Sequence, residues 1–306
     1  MKNKITIIGA GMVGSTTAYS LLLRKFTEEI ALIDTNNDLV NAQMMDLQHA
    51  VPFVSQTRIK VGSYKDCVDS KIAIVTCGSA QKPGETRLDL IQKNATIIKK
   101  VVGNIFAYNP QIILIMVTNP VDVLTNIAVA MFPDKQKQII GTGTILDSAR
   151  FRQLIGERLT IDPQSIHAYI LGEHGDSEFP VWSTASIGGM SLNQCKELSA
   201  KDKQQIFEKA KNAAYTIIAG KQSTYYAIGA GCANLSGAIL NNKKSVFPVS
   251  HLIKGAFGLK DVCLSMPVVV GQNGIEKELP ISLNKEEQTK LIESAKIIQE
   301  NFKLAN

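Results

Sequence analysis

Three side chains in this sequence suggest proton transfer and anion binding at one place. His174 lies in Gly172-Glu173-His174-Gly175-Asp176-Ser177, a glycine-flanked polar turn directly after the apolar run His167–Leu171. Such a turn mounts an imidazole rigidly and leaves it accessible, and an imidazole can both give and take a proton near neutral pH. Asp147 and Arg150 stand three apart in a helical pattern and so share one helix face. Two readings of that pair stay open. It is a solvated i,i+3 ion pair, the commoner case for such spacing, or a working pair. In the second reading the aspartate orients an imidazole and the arginine forks onto a substrate carboxylate. The polar segment Gly78–Asp89 holds Pro83, Gly84 and Arg87 and leads into a long helical pattern. It suits either an ordinary surface loop or a closing lid whose arginine stabilises charge on a carbonyl oxygen. His49, in an amphipathic helical pattern, and His251, at the end of an apolar strand, read as structural.

A second motif points to a cofactor. Gly9-Ala10-Gly11-Met12-Val13-Gly14 follows an apolar run and opens a helical pattern. The first glycine permits a tight turn and the second lets a pyrophosphate approach the backbone. The third allows close helix–strand packing, and the helix N-terminus faces the phosphates. Asp34 ends the next apolar run, 20 residues past Gly14. An acid there accepts hydrogen bonds from ribose hydroxyls and repels a 2′-phosphate, which favours NAD over NADP. A glycine turn without a ligand is the plainer alternative.

The elements around these motifs define the fold class. Lys4–Ile8, Ile30–Asp34, Arg58–Val61, Ile72–Thr76, Ile112–Val117 and Gln138–Gly141 are short apolar runs, Arg58–Val61 the weakest, as expected of strands buried on both faces. Between them, Leu88, Ile91, Ala95, Ile98, Val102 and Ile105 form an apolar stripe along one helix. Strands alternating with helices predict an α/β fold with a doubly wound parallel Rossmann sheet. Asn119-Pro120-Val121-Asp122 then falls just past the carboxyl end of the fifth strand, where open α/β sheets bind ligands. From Thr144 onward the pattern becomes a mixed α+β substrate lobe. Helices are expected near 147–158, 201–218, 223–239 and 286–302, and strands near 165–171, 182–187, 245–252 and 263–270. The division is therefore residues 1–143 for a dinucleotide and 144–306 for substrate and catalysis, with a cleft between them.

Composition narrows the class further. Of the 306 residues 45% are hydrophobic and 20% charged, which excludes disordered and collagenous chains. The longest apolar run, Ile112–Val117, is far short of the ~20 residues a membrane helix needs. The net charge of +6 is spread along the chain rather than clustered, so no nucleic-acid partner is expected. Five cysteines with no CxxC pair read as reduced thiols in a cytoplasmic protein, with no metal expected. Lys2 and Lys4 precede an apolar stretch of only Ile5–Ile8, so no signal peptide is expected.

The chain resembles the lactate/malate dehydrogenase family over nearly its whole length, and within it the bacterial L-lactate dehydrogenases. The resemblance rests on the Gly9–Gly14 loop, Gln81–Arg87, Asn119–Asp122, Leu146-Asp147-Ser148-Ala149-Arg150-Phe151-Arg152 and Gly172–Asp176, in that order and spacing. It implies reversible hydride transfer between NADH and pyruvate, giving L-lactate. It makes His174 the proton donor and acceptor, Asp147 its partner and Arg87 the group that polarises the carbonyl. Arg150 then binds the carboxylate, Asn119 touches substrate and cofactor, and Gln81, Asp122 and Thr224 complete the substrate site. The implied cofactor contacts are Gly9, Gly11, Val13, Gly14, Asp34, Tyr64, Gly78, Ser79, Val117, Asn119 and Thr142. It also implies a homo-oligomer, a tetramer that in some members forms from dimers with the effector, and activation by fructose 1,6-bisphosphate through Arg152 and His167. Malate dehydrogenase is the neighbouring alternative. The family meets malate's second carboxylate with a lid arginine, and this chain has the neutral Gln81 at the matching place, which favours pyruvate. A non-catalytic NAD-binding protein on the same fold is the other alternative.

Overall fold

The computed structural model describes residues 3–54, 56–79 and 87–305, Arg87 by its backbone alone. Its first half runs β1 (Lys4–Ile8), α1 (Met12–Arg24), β2 (Glu29–Ile33), α2 (Asn37–Val54), β3 (Arg58–Val61), β4 (Ile72–Val75), α3 (Arg87–Tyr108), β5 (Ile113–Met116), α4 (Val121–Met131) and β6 (Ile139–Gly141). These strands pair in parallel in the order β3-β2-β1-β4-β5-β6, with Ile5 opposite both Ile30 and Ile72, and Ile72 opposite Ile113. The order reverses between β1 and β4, so the loops after those strands open onto one crevice. Every residue of β1, β4, β5 and β6 is buried, which is why β4, β5 and β6 read as unbroken apolar runs, while β1 carries Lys4 and Thr6 among its isoleucines.

The second half runs α5 (Ile145–Leu159), β7 (Ile166–Leu171), β8 (Phe179–Ile187), β9 (Met190–Ser191), α6 (Ala200–Lys221), α7 (Tyr226–Leu240), β10 (Ser245–Lys254), β11 (Lys260–Gly271), β12 (Gly274–Glu278) and α8 (Lys285–Ala305). Strands β7, β8 and β9 form a small antiparallel sheet. The antiparallel strands β10, β11 and β12 do not stand apart in a lobe of their own. They extend the first half's sheet to nine strands, joined through Ser250 opposite Gly141. Gly141 permits that join, because a Cβ there would lie 2.8 Å from the Ser250 Cβ. Helix α7 packs on α1 across the halves, and a Cβ on Gly229 would lie 2.7 Å from the Thr16 methyl.

Three apolar clusters hold these layers. Two line opposite faces of the large sheet, and the third joins Phe151 and Ile155 of α5 to Ile166 and Ile170 of β7 and to Ile206 of α6. Phe151 is fully buried and meets Trp182 edge-on, with ring centroids 4.7 Å apart. The hydroxyls of Thr144 and Ser148 add polar ties, both donating to the Ile170 carbonyl at 2.5 and 3.2 Å. The Ile170 N–H donates in return to the Ser148 oxygen at 3.0 Å. No helix among the described residues is long and apolar enough to cross a membrane.

Because Phe151 fixes α5 against β7 and β8, Phe151→Ala is expected to destabilise the fold by about 3–5 kcal/mol. Thermal and urea unfolding would show it, and a loss below about 1 kcal/mol would mean that α5 is anchored elsewhere.

Candidate active site

The glycine loop is shaped by close approach. Gly9 has φ +107°, and a Cβ on it would lie 2.6 Å from the Cys77 backbone nitrogen. A Cβ on Gly14 would collide with the Gly9 carbonyl oxygen, so α1 presses against the loop as the third glycine of the motif allows. Gly11 differs: nothing lies within 4 Å of where its Cβ would be, and it is exposed at the start of α1. That open cradle at a helix N-terminus fits a pyrophosphate. Asp34 accepts from the Ala10 N–H at 2.6 Å and from the Asn36 N–H at 2.9 Å, which holds the loop to the end of β2. Tyr64 is half-buried against the core, where burial first, and then the neighbouring Cys77, push its hydroxyl pKa upward.

On the other side of the sheet's switch point, Gly78 and Ser79 follow β4. Their placement depends on Asn94, a buried side chain of α3 that the sequence reading did not single out. Its Oδ1 accepts from the Ser79 N–H at 2.8 Å, and its Nδ2 donates to the Asn119 carbonyl at 2.9 Å. A buried asparagine in an apolar helix stripe was the available signal. Val13, Val117, Asn119, Thr142, His174 and Thr224 line one cavity together with Gly143, Leu146 and Ile228. His174 and Asn119 also border a second, more open cavity with Leu90, Ile91, Pro120, Asp176 and Tyr215. The structure therefore brings glycine-loop, β5, β6 and second-half residues to the two sides of one imidazole.

That imidazole is held by a buried carboxylate. Asp147 lies in the first turn of α5, and its Oδ2 is 2.6 Å from Nδ1 of His174. Its Oδ1 accepts from Nη1 of Arg150 at 3.0 Å. The Asp147–Arg150 pair is thus no solvated ion pair, since its acid is buried and shared with the histidine. Burial alone would raise the Asp147 pKa, but His174 and then Arg150 hold it below the ordinary value. Burial likewise opposes charge on His174. The Asp147 charge and hydrogen bond outweigh it, with help from Glu178 and Asp122, and raise the imidazole pKa to about 9. With Nδ1 bonded to Asp147, Nε2 is the nitrogen left to exchange a proton.

Asp122 lies beneath this group rather than beside it. It is buried in α4, and its Oδ2 accepts from the His174 backbone N–H at 2.7 Å. Burial pushes its pKa up to about 6, against the pull of Ser250 and of the His174 backbone and ring. Ser294 of α8 braces the same turn, its hydroxyl oxygen accepting from the Glu173 N–H at 2.6 Å. Arg152 points to the far side of α5, half-buried near Tyr169, its Nε donating to the Ser148 carbonyl at 3.4 Å. His167 is exposed on β7, two residues before Tyr169. His49 is exposed on α2, and His251 is buried with Nδ1 3.1 Å from the Val249 carbonyl. Gln81 and the Arg87 side chain lie outside the described residues.

A dinucleotide fold that brings an imidazole to its crevice, held by a carboxylate that a guanidinium shares, has the layout of an NAD-dependent oxidoreductase. Comparison with known proteins agrees and is more specific. Residues 3–141 match the family model for the lactate/malate dehydrogenase NAD binding domain, and residues 144–306 match that for the lactate/malate dehydrogenase alpha/beta C-terminal domain. An L-lactate dehydrogenase of Acetivibrio thermocellus is 45% identical, over 98% of this chain and 96% of its own length. L-lactate dehydrogenase 1 of Clostridium acetobutylicum is 43% identical, over 98% and 97%. The crystal structure of a minor L-lactate dehydrogenase from Enterococcus mundtii superposes with a TM-score of 0.97 at 35% identity, covering 100% of this chain and 99% of that one. The chain belongs to the lactate/malate dehydrogenase family, and it is an NAD-dependent oxidoreductase.

The folded His174 holds its proton up to about pH 9, against an ordinary value of 6.5. It therefore contributes stability that is fully present below pH ~6.5 and fades as pH rises through about 9. Asp147→Asn is expected to remove that contribution and to lower the histidine's titration midpoint by more than one unit, read by NMR of the imidazole. An unchanged midpoint would show that Asp147 does not set it.

Proposed function

We propose that this protein is an L-lactate dehydrogenase that reduces pyruvate with NADH and runs the reverse reaction. The observation that carries the reading is the single carboxylate of Asp147, shared by His174 and Arg150 at 2.6 and 3.0 Å. Bound NADH supplies the hydride. Arg150 keeps a fork of donors for the substrate carboxylate, and His174 gives its Nε2 proton to the carbonyl oxygen as that oxygen gains charge. In the reverse direction the same nitrogen takes the proton back. Asn119 and Thr224 line the cavity beside the ring, and Asp122 keeps the ring in place from behind. Arg87 polarises the carbonyl from the lid, and Gln81 leaves no cation for a second carboxylate, which favours pyruvate over oxaloacetate. Gly9, Gly11 and Gly14 would hold the pyrophosphate and Asp34 the ribose, with Val13, Tyr64, Gly78, Ser79, Val117 and Thr142 completing the cofactor contacts. Residues 1–143 carry the cofactor and 144–306 the substrate. A cytoplasmic setting belongs to the same reading, supported by five cysteines that are all free thiols.

The test is NADH oxidation with a panel of 2-oxo acids. Pyruvate is expected to be turned over faster than oxaloacetate, and His174→Asn to lose ~10²–10⁴-fold in kcat while still binding NADH. NADH binding without turnover of any 2-oxo acid would favour the non-catalytic alternative.

The same reading includes a homotetramer activated by fructose 1,6-bisphosphate at Arg152 and His167. Its support is placement. Arg152 follows Arg150 by ~200° around the helix and lies near Tyr169, while His167 is on the same side of β7 as that tyrosine. A phosphate shared between subunits would bind the assembled state preferentially and shift the population toward it. Imidazolium holds phosphate better than imidazole, so activation is expected to be stronger at pH 6 than at pH 8 and to be lost in Arg152→Leu. Pyruvate saturation and sedimentation with and without the bisphosphate check this; no change in either for the wild type at pH 6 would refute it.

A further inference from the structure

Glu178 has no part in the reaction outlined above, yet it lies against its central pair. It sits at the entry to β8, four residues past His174, and it is 7% exposed. Ligand atoms of Glu178, Asp147 and His174 all lie within 4.8 Å of one another. Among the described residues, its Oε1 is shielded from solvent and has no hydrogen-bond partner. Two carboxylates this close in a dry site do not readily ionise together. Asp147 takes the charge, because His174 and Arg150 both bond to it. The other charges facing Glu178 are those same two cations and Lys211 of α6, with Asp122 of α4 behind the ring. Burial and the Asp147 charge together outweigh the three cations and hold the Glu178 carboxyl up to about 8.

We propose that Glu178 is a positioning acid that must be protonated for a carboxylate substrate to bind beside Arg150, so that binding takes up a proton at Glu178 besides the one His174 carries. With Glu178 neutral, Arg150, Asp147 and His174 sum to one positive charge beside the anion, and Asp122 behind the ring is a fixed charge above about pH 6 that does not change with the Glu178 proton. With Glu178 ionised, that surplus is cancelled within a medium that screens poorly. By linkage, a bound anion strengthens proton binding at Glu178, and its proton strengthens anion binding by the same factor. This rests on the 2-oxo acid reading of the site.

The test uses the NADH-saturated protein and oxamate, an unreactive isostere of pyruvate, with Kd measured at intervals from pH 7.5 to 9.5. His174 alone can weaken binding by at most one decade per pH unit. The wild type is expected to exceed one decade per unit above pH 8.5. Glu178→Gln, which mimics the neutral acid, is expected to stay at or below one decade and to bind more tightly than the wild type at pH 9.5. A wild-type slope of one decade or less overturns the proposal, and that measurement needs no variant. So does a Glu178→Gln protein that keeps the steeper slope. Failure of the wild type to turn over pyruvate is a separate result, which overturns the 2-oxo acid reading itself.

Discussion

The structure depends on the buried charge of Asp147. A carboxylate out of water is costly unless cations and hydrogen bonds surround it. Here one partner comes from the same helix and the other from a turn after β7, so the charge is compensated only if α5 and β7 meet in one register. That requirement explains the density of fixings between them. Thr144 and Ser148 grip the Ile170 backbone, and Phe151 and Ile155 fill the space against Ile166 and Ile170. A shift of one residue along β7 would turn its side chains to the other face and leave Asp147 with half its partners.

The opposite wall is built by removing atoms rather than by pairing charges. Gly9, Gly14 and Gly78 bring backbone to within contact of backbone or of Thr76 and Thr118, where any side chain would collide. Gly11 alone opens outward. Asn94 then ties the loop after β4 to Asn119 after β5, so one buried side chain fixes two neighbouring loops at the carboxyl end of the sheet. Cofactor wall and catalytic wall are linked in turn by α4, whose N-terminal turn follows Asn119 and Pro120 and carries Asp122 to the back of His174.

How much of this was legible in the sequence follows from what each residue does. The parallel strands were legible because burial on both faces makes them short and mainly apolar, although Lys4, Thr6 and Glu29 are buried polar exceptions, and the glycine loop because contacts at Gly9 and Gly14 exclude any side chain there. His174, Asp147 and Arg150 were legible as types, but only the fold shows the aspartate shared between the other two. The joining of β10, β11 and β12 to the first half's sheet was not, since it depends on one pairing between Ser250 and Gly141, more than a hundred residues apart. Strand β12 reads Gly-Ile-Glu-Lys-Glu and has no apolar run to betray it. Asn94, Ser294 and Glu178 were missed for a shared reason. Ser294 and Glu178 are ordinary in their local sequence and Asn94 stands out only as a polar break in an apolar stripe, and the role of each comes from a partner brought close by tertiary packing.

The acids around His174 also bear on direction. Asp147 above all, with Asp122 behind the ring, favours a protonated imidazole and overcomes the burial that would deprotonate it, while a protonated Glu178 adds no charge at neutral pH. On the proposed reading His174 must donate to a carbonyl oxygen, and a ring held to about pH 9 is loaded for that at neutral pH. The reverse reaction needs the same nitrogen empty, and the resting cleft opposes that. In the proposed reaction, carbonyl reduction finds its proton in place, whereas alcohol oxidation must first remove one from a ring that the Asp147 charge stabilises. Asp147 is thus tolerable inside the fold because His174 stays cationic beside it, and His174 stays cationic because Asp147 is there.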